Sequence, residues 1–435
     1  MNENYIAAIE IGSSKITGAV GVFDSEKKMK VLAVEQEESR DSVRYGLIHN
    51  PEEVASRVMK IIDKLNANPM LGGRQIKGVF VGLSGRSMKS VASKVKLEYP
   101  EITEITGVIL DNLRKDATLI DLDSNQEILA VVPLSYKIDG METVSPRGVM
   151  GKSISAVFDV IVARTELRRN IQRALSERTG LEIRGMLITP LATADIVLSN
   201  EEKRLGCMLV DFGAETTSVS IYRRGSLCYF ATLPLGGRNI TRDLTSLSIL
   251  EEKAEEIKCE SGRAIARETP STLSLSGIKL SDVSNLVVAR AEEIVANVIQ
   301  QITYAGLVEK DLPDGIVCVG GGTNLSGILE LLQNQSGLNA RTGFLPSYIQ
   351  AMEPKAKRHD YLQVTALLYA GALQGAPDCL EQPQREETEE EISEENEKAG
   401  TQEETRNVGK VGQFFKGISK TFTNIFATGE DSELD

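Results

Sequence analysis

Apolar and polar positions alternate along the first 376 residues in patterns that predict both strands and helices. Short apolar runs near glycine predict strands, as in YIAAIEIG, KITGAVGVF, KGVFVGLSG, GCMLVDFGAETTSVSIY and GIVCVGGG. Apolar residues spaced three and four apart predict helices over PEEVASRVMKIIDKL, NLRKDATLI, NLVVARAEEIVANVIQQITYAGL and NLSGILELLQ. Strands and helices mixed in this way indicate an α/β architecture.

One short pattern occurs twice in the chain. The segments 9–15 and 210–217 both read apolar, acidic, apolar, glycine and then small polar residues, and both continue into an alternating strand. Their glycines, Gly12 and Gly213, lie 201 positions apart, which is about half the chain. Two similar strand–turn–strand units at this spacing predict a two-lobed protein with a duplicated core.

Both turns contain the residue types that hold a phosphate chain. Glycine lets the backbone approach a ligand closely, and the N–H groups and hydroxyls that follow it can donate to phosphate oxygens. The preceding carboxylates, Glu10 and Asp211, are suited to a hydrated Mg²⁺, and Lys15 is suited to neutralising phosphate charge. A single turn of this kind is also typical of ordinary hairpins, but the second copy favours a phosphate site.

A third glycine-rich turn also favours a phosphate site. The segment 316–323 is a buried-type strand that runs into Gly320, Gly321 and Gly322. Glycines there allow a flat ring or a ribose to lie against the backbone, with the following helix pointing its N-terminus at phosphates. A tight strand-to-helix turn is the alternative, although it would need only one glycine.

Composition narrows the class of protein. The 435-residue chain is 41% apolar, which is enough for a sizeable core in two domains. Its five cysteines are scattered without C-x-x-C spacing, which predicts neither disulfides nor a zinc site and suits a reducing cytoplasm. Two distant histidines argue against His-based metal or triad chemistry. We expect no secretory signal and no membrane-spanning segment, because no suitable apolar run is present.

The net charge of −13 is concentrated near the C-terminus. Between Glu381 and Thr405 there are eleven acidic and two basic residues with almost no apolar ones, so we expect a disordered, solvated spacer. The preceding part of the chain has the ordinary charge balance of a globular body. No binding of nucleic acid is therefore expected.

Apolar residues return abruptly between Lys410 and Phe426. At about 100° per residue of helix, the apolar residues share one face and the lysines lie opposite. The membrane-binding residues would be Phe414, Phe415, Ile418, Phe422, Ile425 and Phe426, with Lys416 and Lys420. This pattern is typical of a helix that lies on an anionic lipid surface. Docking on the globular body or in another protein's groove is the alternative, but the long charged spacer favours the membrane.

Several motifs together resemble the superfamily of actin, sugar kinases and heat-shock ATPases. They are the two hairpins, the triple-glycine turn, LGGRNITRD at 235–243 and AEEIK at 254–258 followed by Gly262. In their order, and with the C-terminal tail, they resemble the FtsA family of actin-like bacterial cell division proteins over essentially the full length. The resemblance implies a two-lobed actin-like α/β fold with an inserted α+β subdomain and a disordered C-terminal linker ending in an amphipathic helix.

The resemblance also implies how the chain divides. The parts are a first lobe (1A) over 1–83 and 163–204, an inserted subdomain (1C) over 84–162, a second lobe (2A) over 205–235 and 310–376, subdomain 2B over 236–309, an acidic linker over 377–408, the membrane helix over 409–427 and an acidic tail over 428–435. In this family the inserted subdomain takes part in self-association and contacts later division proteins. A purely structural insert is the simpler alternative.

ATP with Mg²⁺ is the ligand that the resemblance implies. The nucleotide-binding residues would be Gly12, Ser13, Ser14, Lys15, Asp211, Gly213, Thr216, Thr217, Gly236, Gly237, Glu255, Lys258, Gly320, Gly321 and Gly322. Glu255 and Lys258 would contact the ribose and adenosine, and Glu10 and Asp211 would hold Mg²⁺ through water. Glu10 stands where the family usually has Asp, and its extra methylene moves the carboxylate. Slow or no ATP hydrolysis is therefore expected, and the catalytic residues stay undefined.

The function implied is that of a self-assembling protein at the division site. It would tether the ring of the tubulin-like protein FtsZ to the cytoplasmic face of the membrane and recruit later division proteins. Arg290 and Glu293 match the pair with which FtsA-type proteins bind the C-terminal peptide of FtsZ, although an i,i+3 pair is otherwise a solvated surface feature.

Two other functions share some of these motifs. An actin-like scaffold of a pilus or secretion machine should lack the spacer and the terminal helix. A small-molecule kinase needs a catalytic Asp base, which the sequence does not reveal.

Overall fold

The computed structural model describes residues 4–266, 274–275, 278–357, 359–375 and 377–382. The strands are β1 (Asn4–Ile11), β2 (Lys15–Phe23), β3 (Met29–Glu38), β4 (Val43–Arg44), β5 (Leu47–Ile48), β6 (Gln75–Ile76), β7 (Gly78–Leu83), β8 (Lys89–Glu104), β9 (Gln126–Ile138), β10 (Met141–Thr143), β11 (Met150–Arg164), β12 (Glu182–Ile188), β13 (Cys207–Phe212), β14 (Thr217–Arg223), β15 (Ser226–Leu233), β16 (Ser274–Leu275), β17 (Ile278–Lys279), β18 (Ile316–Val319), β19 (Ala340–Thr342), β20 (Ile349–Ala351) and β21 (Leu380–Glu381).

Helices alternate with these strands along the chain. They are α1 (Pro51–Asn66), α2 (Gly107–Asp116), α3 (Thr165–Thr179), α4 (Thr189–Val197), α5 (Asn200–Leu205), α6 (Gly237–Leu244), α7 (Glu251–Ser261), α8 (Leu280–Tyr304), α9 (Ile328–Ser336) and α10 (Leu362–Leu373). The α/β architecture predicted from the pattern of apolar residues is confirmed.

The first lobe is built on the hairpin of β1 and β2. In the described part of the chain its sheet has six strands in the order β12-β7-β1-β2-β3-β20. The predicted strand KITGAVGVF is confirmed as β2 residue for residue. β1 and β2 pair antiparallel up to Ile11 opposite Ile16, and β7 runs parallel to β1.

The second lobe repeats this arrangement around β13 and β14. Over the described residues the sheet has nine strands in the order β10-β9-β11-β8-β15-β14-β13-β18-β19. β13 and β14 pair antiparallel up to Phe212 opposite Thr217, and β18 runs parallel to β13 as β7 does to β1. The predicted duplicated, two-lobed core is confirmed.

An inserted region, made of β8–β11 and α2, extends the second sheet. A single bridge pair, Lys89 with Ala231 of β15, joins its strands to those of the second lobe. The bounds predicted for its helix over NLRKDATLI were wrong, since α2 spans Gly107–Asp116. Leu113 and the C-cap residue Ala117 pack into the small core of this region, whereas Leu119, which the prediction placed in the helix, is exposed.

The long helices were predicted more closely than α2. For α1, Asn50 caps the N-terminus by accepting a hydrogen bond from the Glu53 N–H at 3.2 Å, and the predicted helix is confirmed. α8 begins five residues before the predicted segment and ends at Tyr304. It ends there because Gly306, with φ of 72°, takes the left-handed conformation that terminates helices.

Two large hydrophobic cores hold the described residues together. The first lies between the six-stranded sheet and the helices α1, α3, α4 and α10, and it extends to one face of the second sheet through residues such as Leu209, Phe230 and Val317. The core of the second lobe lies between its sheet and the helices α6, α7, α8 and α9. Both hairpins are therefore anchored by buried strands, and their turns lie at the edge of each core.

Candidate functional site

The turns of the two hairpins, β1–β2 and β13–β14, line a common cleft. Its cavity has a volume of about 1220 Å³ and is also bordered by α6, α7 and the turn after β18. The predicted residues that line it are Glu10, Gly12, Ser13, Ser14, Lys15, Asp211, Gly213, Thr216, Gly236, Gly237, Glu255, Lys258, Gly320, Gly321 and Gly322. Segments that are distant in sequence thus meet at one site large enough for a nucleotide.

The two turns have the same backbone geometry. The N–H of Gly12 donates to the carbonyl of Lys15 at 2.9 Å, and the N–H of Gly213 donates to the carbonyl of Thr216 at 2.9 Å. A Cβ at Gly12 would lie 2.9 Å from the Lys15 oxygen, and a Cβ at Gly213 would lie 2.7 Å from the Thr216 oxygen. Only glycine fits at the first position of either turn.

Two carboxylates lie side by side at the base of the cleft. Burial, and then the charge of Asp211, raises the pKa of Glu10 to about 7, against the opposing effects of Lys15 and Thr17. Burial raises the pKa of Asp211 to about 6, although a hydrogen bond from Gln363 opposes this shift. A cation held between the two groups would favour their charged forms and so oppose both shifts.

The donor set at this position fits a hydrated Mg²⁺. Among the described residues, no group of three or more His, Cys, Asp or Glu side chains is placed to hold a metal ion. Two carboxylates alone suit Mg²⁺, which usually keeps several waters and completes its shell with phosphate oxygens.

Lys15 is already paired on the first-lobe side of the cleft. Its Nζ lies 3.3 Å from a carboxylate oxygen of Asp360 and 5.7 Å from the centre of the Tyr361 ring. The side chain is 28% exposed, so it can still reach a ligand in the cleft. The pairing with Asp360 holds the ammonium group at the lining of the cleft.

The hydroxyls predicted to bind phosphate differ in their placement. Ser13 is buried, and its Oγ accepts a hydrogen bond from the Gly46 N–H at 2.9 Å, so its own proton is available to a ligand. Ser14 is exposed, and Thr216 lines the cleft. Thr217, by contrast, is fully buried and donates to the carbonyl of Leu235 at 2.8 Å. The structure places Thr217 beneath the turn and outside the cleft lining.

The first turn of α6 packs directly on the second hairpin. The N–H of Gly237 donates to the carbonyl of Gly213 at 3.0 Å. A Cβ at Gly236 would lie 2.6 Å from that carbonyl oxygen and from the carbonyl oxygen of Ala214. These two glycines therefore allow the N-terminus of α6 to stand beside the phosphate loop, where the N–H groups of Gly237 and Arg238 donate to the carbonyls of Gly213 and Ala214.

Glu255 and Lys258 form a network on α7 at the same end of the cleft. The Lys258 ammonium donates to Glu255 at 2.7 Å, to the Thr241 hydroxyl at 3.0 Å and to the Gly237 carbonyl at 3.2 Å. Burial acts to raise the pKa of Glu255, but the charge and hydrogen bond of Lys258 outweigh it, so the pKa is lowered. The carboxylate stays ionised and can accept hydrogen bonds from sugar hydroxyls.

The three glycines after β18 have different roles. Gly320 has φ of 86°, and a Cβ there would lie 2.4 Å from Asp211 Oδ1. A Cβ on Gly321 would meet nothing within 4 Å, so this position leaves open space. The helix predicted to follow at once was wrong in its start, because a short 3₁₀ turn and the left-handed Gly327 come first and α9 begins at Ile328.

A second, smaller cleft lies between α6 and α8. Its cavity of about 400 Å³ is lined by Arg242, Asp243, Ser246, Leu286, Ala289, Arg290 and Glu293. Arg290 donates to Asp243 through two nitrogens, at 2.6 and 3.0 Å, and also pairs with Glu293. The i,i+3 pair noted in the sequence is therefore one side of a three-residue cluster.

Comparison with known families fits this geometry. A family model described as "Cell division protein FtsA" matches residues 208–355, and one described as "SHS2 domain inserted in FTSA" matches residues 85–162. A protein of Porphyromonas gingivalis named cell division protein FtsA is 32% identical over 78% of this chain and 72% of its own length. This chain belongs to the FtsA family.

Other FtsA proteins and one solved structure extend the comparison. The FtsA protein of Bacillus subtilis is 27% identical and is covered over 81% of both chains. A structure titled "PilM-PilN type IV pilus biogenesis complex" superposes with a TM-score of 0.60 at 17% identity, over 84% of this chain and 96% of its own. That likeness concerns the fold alone. The predicted two-lobed actin-like fold with an inserted subdomain is confirmed.

Some cleft residues of this FtsA-family chain escaped the sequence analysis. Gln363 donates to Asp211 Oδ1 at 3.0 Å, Asp360 pairs with Lys15, and Arg238 reaches Glu215 at 3.3 Å. Gln363 had a usable signal, because it is an amide near the start of the otherwise apolar helix α10. Arg238 lies within the motif LGGRNITRD, but nothing in the sequence pairs it with Glu215. Asp360 had no signal, because a single acidic residue in a loop is common.

The first six residues of the predicted acidic linker, 377–382, are ordered, so the prediction of disorder was wrong there: β21 pairs with β6, and Cys379 and Leu380 are buried. The rest of the linker, 383–408, and the predicted membrane helix lie outside the described residues. This applies to Phe414, Phe415, Ile418, Phe422, Ile425, Phe426, Lys416 and Lys420. Within the ranges that the structure describes, no helix combines the length and apolar character needed to cross a membrane.

Proposed function

We propose that this FtsA-family chain is an ATP-binding cell division protein that self-assembles, ties FtsZ polymers to the membrane and recruits later division proteins. Its membership of the FtsA family carries the proposal. It would act as a peripheral protein on the cytoplasmic face of the membrane at the division site. The subdomain limits predicted from the sequence are part of the same proposal, except that the end of the range 310–376 belongs with the first lobe, because β20 pairs with β3 and α10 packs on β1 and β2.

ATP with Mg²⁺ is the proposed ligand of the larger cleft. The matched hairpin turns, the partly buried carboxylates Glu10 and Asp211, and the open backbone at Gly321 support it. We infer slow or absent hydrolysis, because Glu10 replaces the usual Asp. Calorimetric titration with ATP, with Mg²⁺ and with EDTA, tests binding, and phosphate release over hours tests turnover. Absence of heat with Mg²⁺–ATP would remove the nucleotide from the proposal.

The C-terminal peptide of FtsZ is the proposed ligand of the cleft between α6 and α8. Leu286 and Ala289 give this cleft an apolar side, and Arg290 can exchange Asp243 for a carboxylate of the peptide. Replacing Arg290 by Glu should weaken binding of a synthetic FtsZ-tail peptide by at least about 10-fold, because a charge-assisted bond becomes a repulsion.

A charge reversal elsewhere on the same lobe is the matched control for that experiment. Lys253 forms an exposed pair with Glu256 on α7 and does not line the smaller cleft. Lys253→Glu should leave the affinity for the peptide within about twofold, as expected of exposed surface charges. Equal affinity of Arg290→Glu and the wild type would remove this site assignment.

The C-terminal segment 409–427 is the proposed membrane anchor. Pelleting with vesicles that contain phosphatidylglycerol should be strong for the full chain and lost on truncation after residue 407. A full-length variant with Phe415→Glu and Phe422→Glu should also fail to pellet, whereas Gln413→Glu with Asn424→Glu, on the polar face, should lose less. Equal pelleting of the truncated chain would exclude the anchor.

Self-assembly would increase the affinity of the proposed anchor for the membrane. A single helix of this length binds reversibly, but linked copies bind through multivalency. The inserted region carries exposed apolar side chains, among them Met141, Val144 and Leu119, that could take part in contacts between copies or with later division proteins. Met141→Lys with Val144→Asp should reduce ATP-dependent sedimentation of the polymer without changing ATP affinity.

A further inference from the structure

Glu215, in the turn of the second hairpin, is a buried carboxylate with several cationic partners. Its side chain has an exposed fraction of 0%. Its Oε1 accepts from Arg242 at 2.6 Å, from Arg238 at 3.3 Å and from Arg44 at 3.4 Å. A buried charge is stable only when it is paired and hydrogen-bonded, and breaking such pairs is strongly destabilising. Glu215 and its three arginines, which we call the Glu215 cluster, are therefore held in one arrangement.

The turn between β4 and β5 lies against both phosphate hairpins. The N–H of Tyr45 donates to Glu215 Oε2 at 2.7 Å, and the N–H of Gly46 donates to Ser13 Oγ at 2.9 Å. Both residues have positive φ, of 50° and 76°, and a Cβ on Gly46 would lie 2.5 Å from the Cα of Gly85. The turn is thus held in one conformation, and it connects the first hairpin to the second.

Helix α6 continues this connection to the smaller cleft. Its first turn contacts the second hairpin through Gly237, and near its other end Arg242 both binds Glu215 and lines the cavity between α6 and α8. The next residue, Asp243, holds Arg290. A short helix moves as a unit, so a displacement at the hairpin changes the position of Arg242 and Asp243 together.

We propose that Glu215 and Arg242 couple the two clefts, so that nucleotide in the larger one increases the affinity of the smaller one for the FtsZ-tail peptide. The inference rests on the proposed function, which supplies both ligands. Phosphates between the hairpins hold the second hairpin against the Tyr45–Gly46 turn. Glu215 then holds Arg242 and α6 in the arrangement that presents Arg290 to an acidic peptide.

The coupling is measured as a ratio of affinities. The dissociation constant of the FtsZ-tail peptide is determined on the full chain without nucleotide and with saturating Mg²⁺–ATP. For the wild type we expect a ratio of about 5 to 150, the usual range for coupled sites, and the same ratio when ATP is titrated with and without peptide. A ratio near 1 for a wild type that binds both ligands would overturn the inference.

Arg242→Gln is the decisive variant. The Arg242 side chain is 34% exposed, so the substitution leaves Glu215 with its other two arginines and should not prevent folding. We expect the ratio to fall to about 1. Because the readout is a ratio, a uniform loss of peptide affinity does not change it. A ratio that stays at the wild-type value in Arg242→Gln would contradict the coupling.

Two more variants separate a loss of coupling from a general loss of stability or binding. Glu215→Gln keeps the shape and the acceptor for Tyr45 but removes the charge, and it should also bring the ratio close to 1. Arg223→Gln breaks a 2.8 Å pair with Asp311 elsewhere on the second lobe and should keep the wild-type ratio. If the wild type binds neither ATP nor peptide, the proposed function fails, whereas normal binding with no coupling rejects only this inference.

Discussion

The two hairpins share a backbone but differ in charge. Gly12 and Gly213 start turns closed by the same hydrogen bond, and each precedes a β-strand that returns to the core. The corresponding turn positions, however, hold Ser14 and Lys15 in the first lobe and Glu215 and Thr216 in the second. The first hairpin thus offers a cation to the cleft. The second keeps its charge buried, where arginines neutralise it.

The carboxylates at the base of the two hairpins also have different hydrogen-bond donors. Glu10 accepts from Thr17 at 3.3 Å, and Thr17 lies directly opposite it in the hairpin. In the second hairpin Ser218 occupies the corresponding position but bonds to Thr232, and Asp211 relies on Gln363 from α10. Duplication therefore repeats the backbone geometry, while side-chain partners are set separately in each lobe.

The largest expected difference between the hairpins concerns phosphate binding. Lys15→Met should weaken ATP binding by about 10- to 100-fold, since a charge-assisted hydrogen bond contributes about 1.5–3 kcal/mol. Thr216→Val at the matching position should weaken it by about 10-fold or less, because a neutral hydrogen bond is lost. Calorimetric titration of both variants measures this. Equal losses of ATP affinity in the two variants would mean that both hairpins contribute equally to phosphate binding.

The second prediction uses the raised pKa of Glu10. Burial shifts this pKa from 4.5 to about 7, so the folded protein binds more protons than the unfolded chain between these values. The contribution of Glu10 to stability therefore falls as pH rises from about 4.5 to about 7. Without Mg²⁺ and nucleotide, Glu10→Gln should stabilise the protein more at pH 8 than at pH 4.5, by about 1–3 kcal/mol.

Thermal and urea unfolding of Glu10→Gln and the wild type at the two pH values measure that difference. Asp211→Asn is the matched variant in the other hairpin, and its effect should be complete near pH 6, where the raised pKa of Asp211 lies. A stability difference that does not change with pH would show that the pKa of Glu10 is not raised in the folded protein.

The third prediction concerns the different donors to the carboxylates. Gln363→Leu should cost about 1–3 kcal/mol of stability, because Asp211 loses its hydrogen bond in a buried site. It should also reduce the gain in ATP affinity that Mg²⁺ gives. Ser218→Ala, on the matching strand position, should leave the Mg²⁺ effect unchanged. Nucleotide titrations of both variants with Mg²⁺ and with EDTA measure this gain in ATP affinity. An equal reduction in Ser218→Ala and Gln363→Leu would contradict the prediction.

The smallest effect is expected in the first hairpin. Thr17→Val removes a long hydrogen bond of 3.3 Å and keeps the buried shape, so it should cost about 0.5–1.5 kcal/mol. The pKa of Glu10 should rise further, because Thr17 is one of the two groups that lower it. NMR titration of the Glu10 carboxyl carbon measures this shift. If Thr17→Val lost more stability than Gln363→Leu, the hydrogen bond to Glu10 would be the stronger of the two, contrary to this prediction.

Much of the fold and part of the cleft could be predicted because the signals are local. The alternation in KITGAVGVF gave β2 its bounds, and the apolar spacing of PEEVASRVMKIIDKL gave α1. The repeated acidic residue and glycine marked both hairpins. Helix ends were less certain. Those of α2 and α9 depend on which side chains reach a core, and on the left-handed Gly327.

The amino-acid sequence by itself determined β7, β18, the four strands of the duplicated hairpins, the helix α1, most of α8 and the positions of Glu10 and Asp211. Hydrophobic periodicity and the need for glycine in a tight turn act within a few residues, so they can be read along the chain. Only the tertiary structure decided that Thr217 lies under the turn, that Gln363 supports Asp211 and that arginines from distant elements surround Glu215. Those contacts depend on how lobes and helices pack, and buried polar groups take whichever partners that packing brings within hydrogen-bond distance.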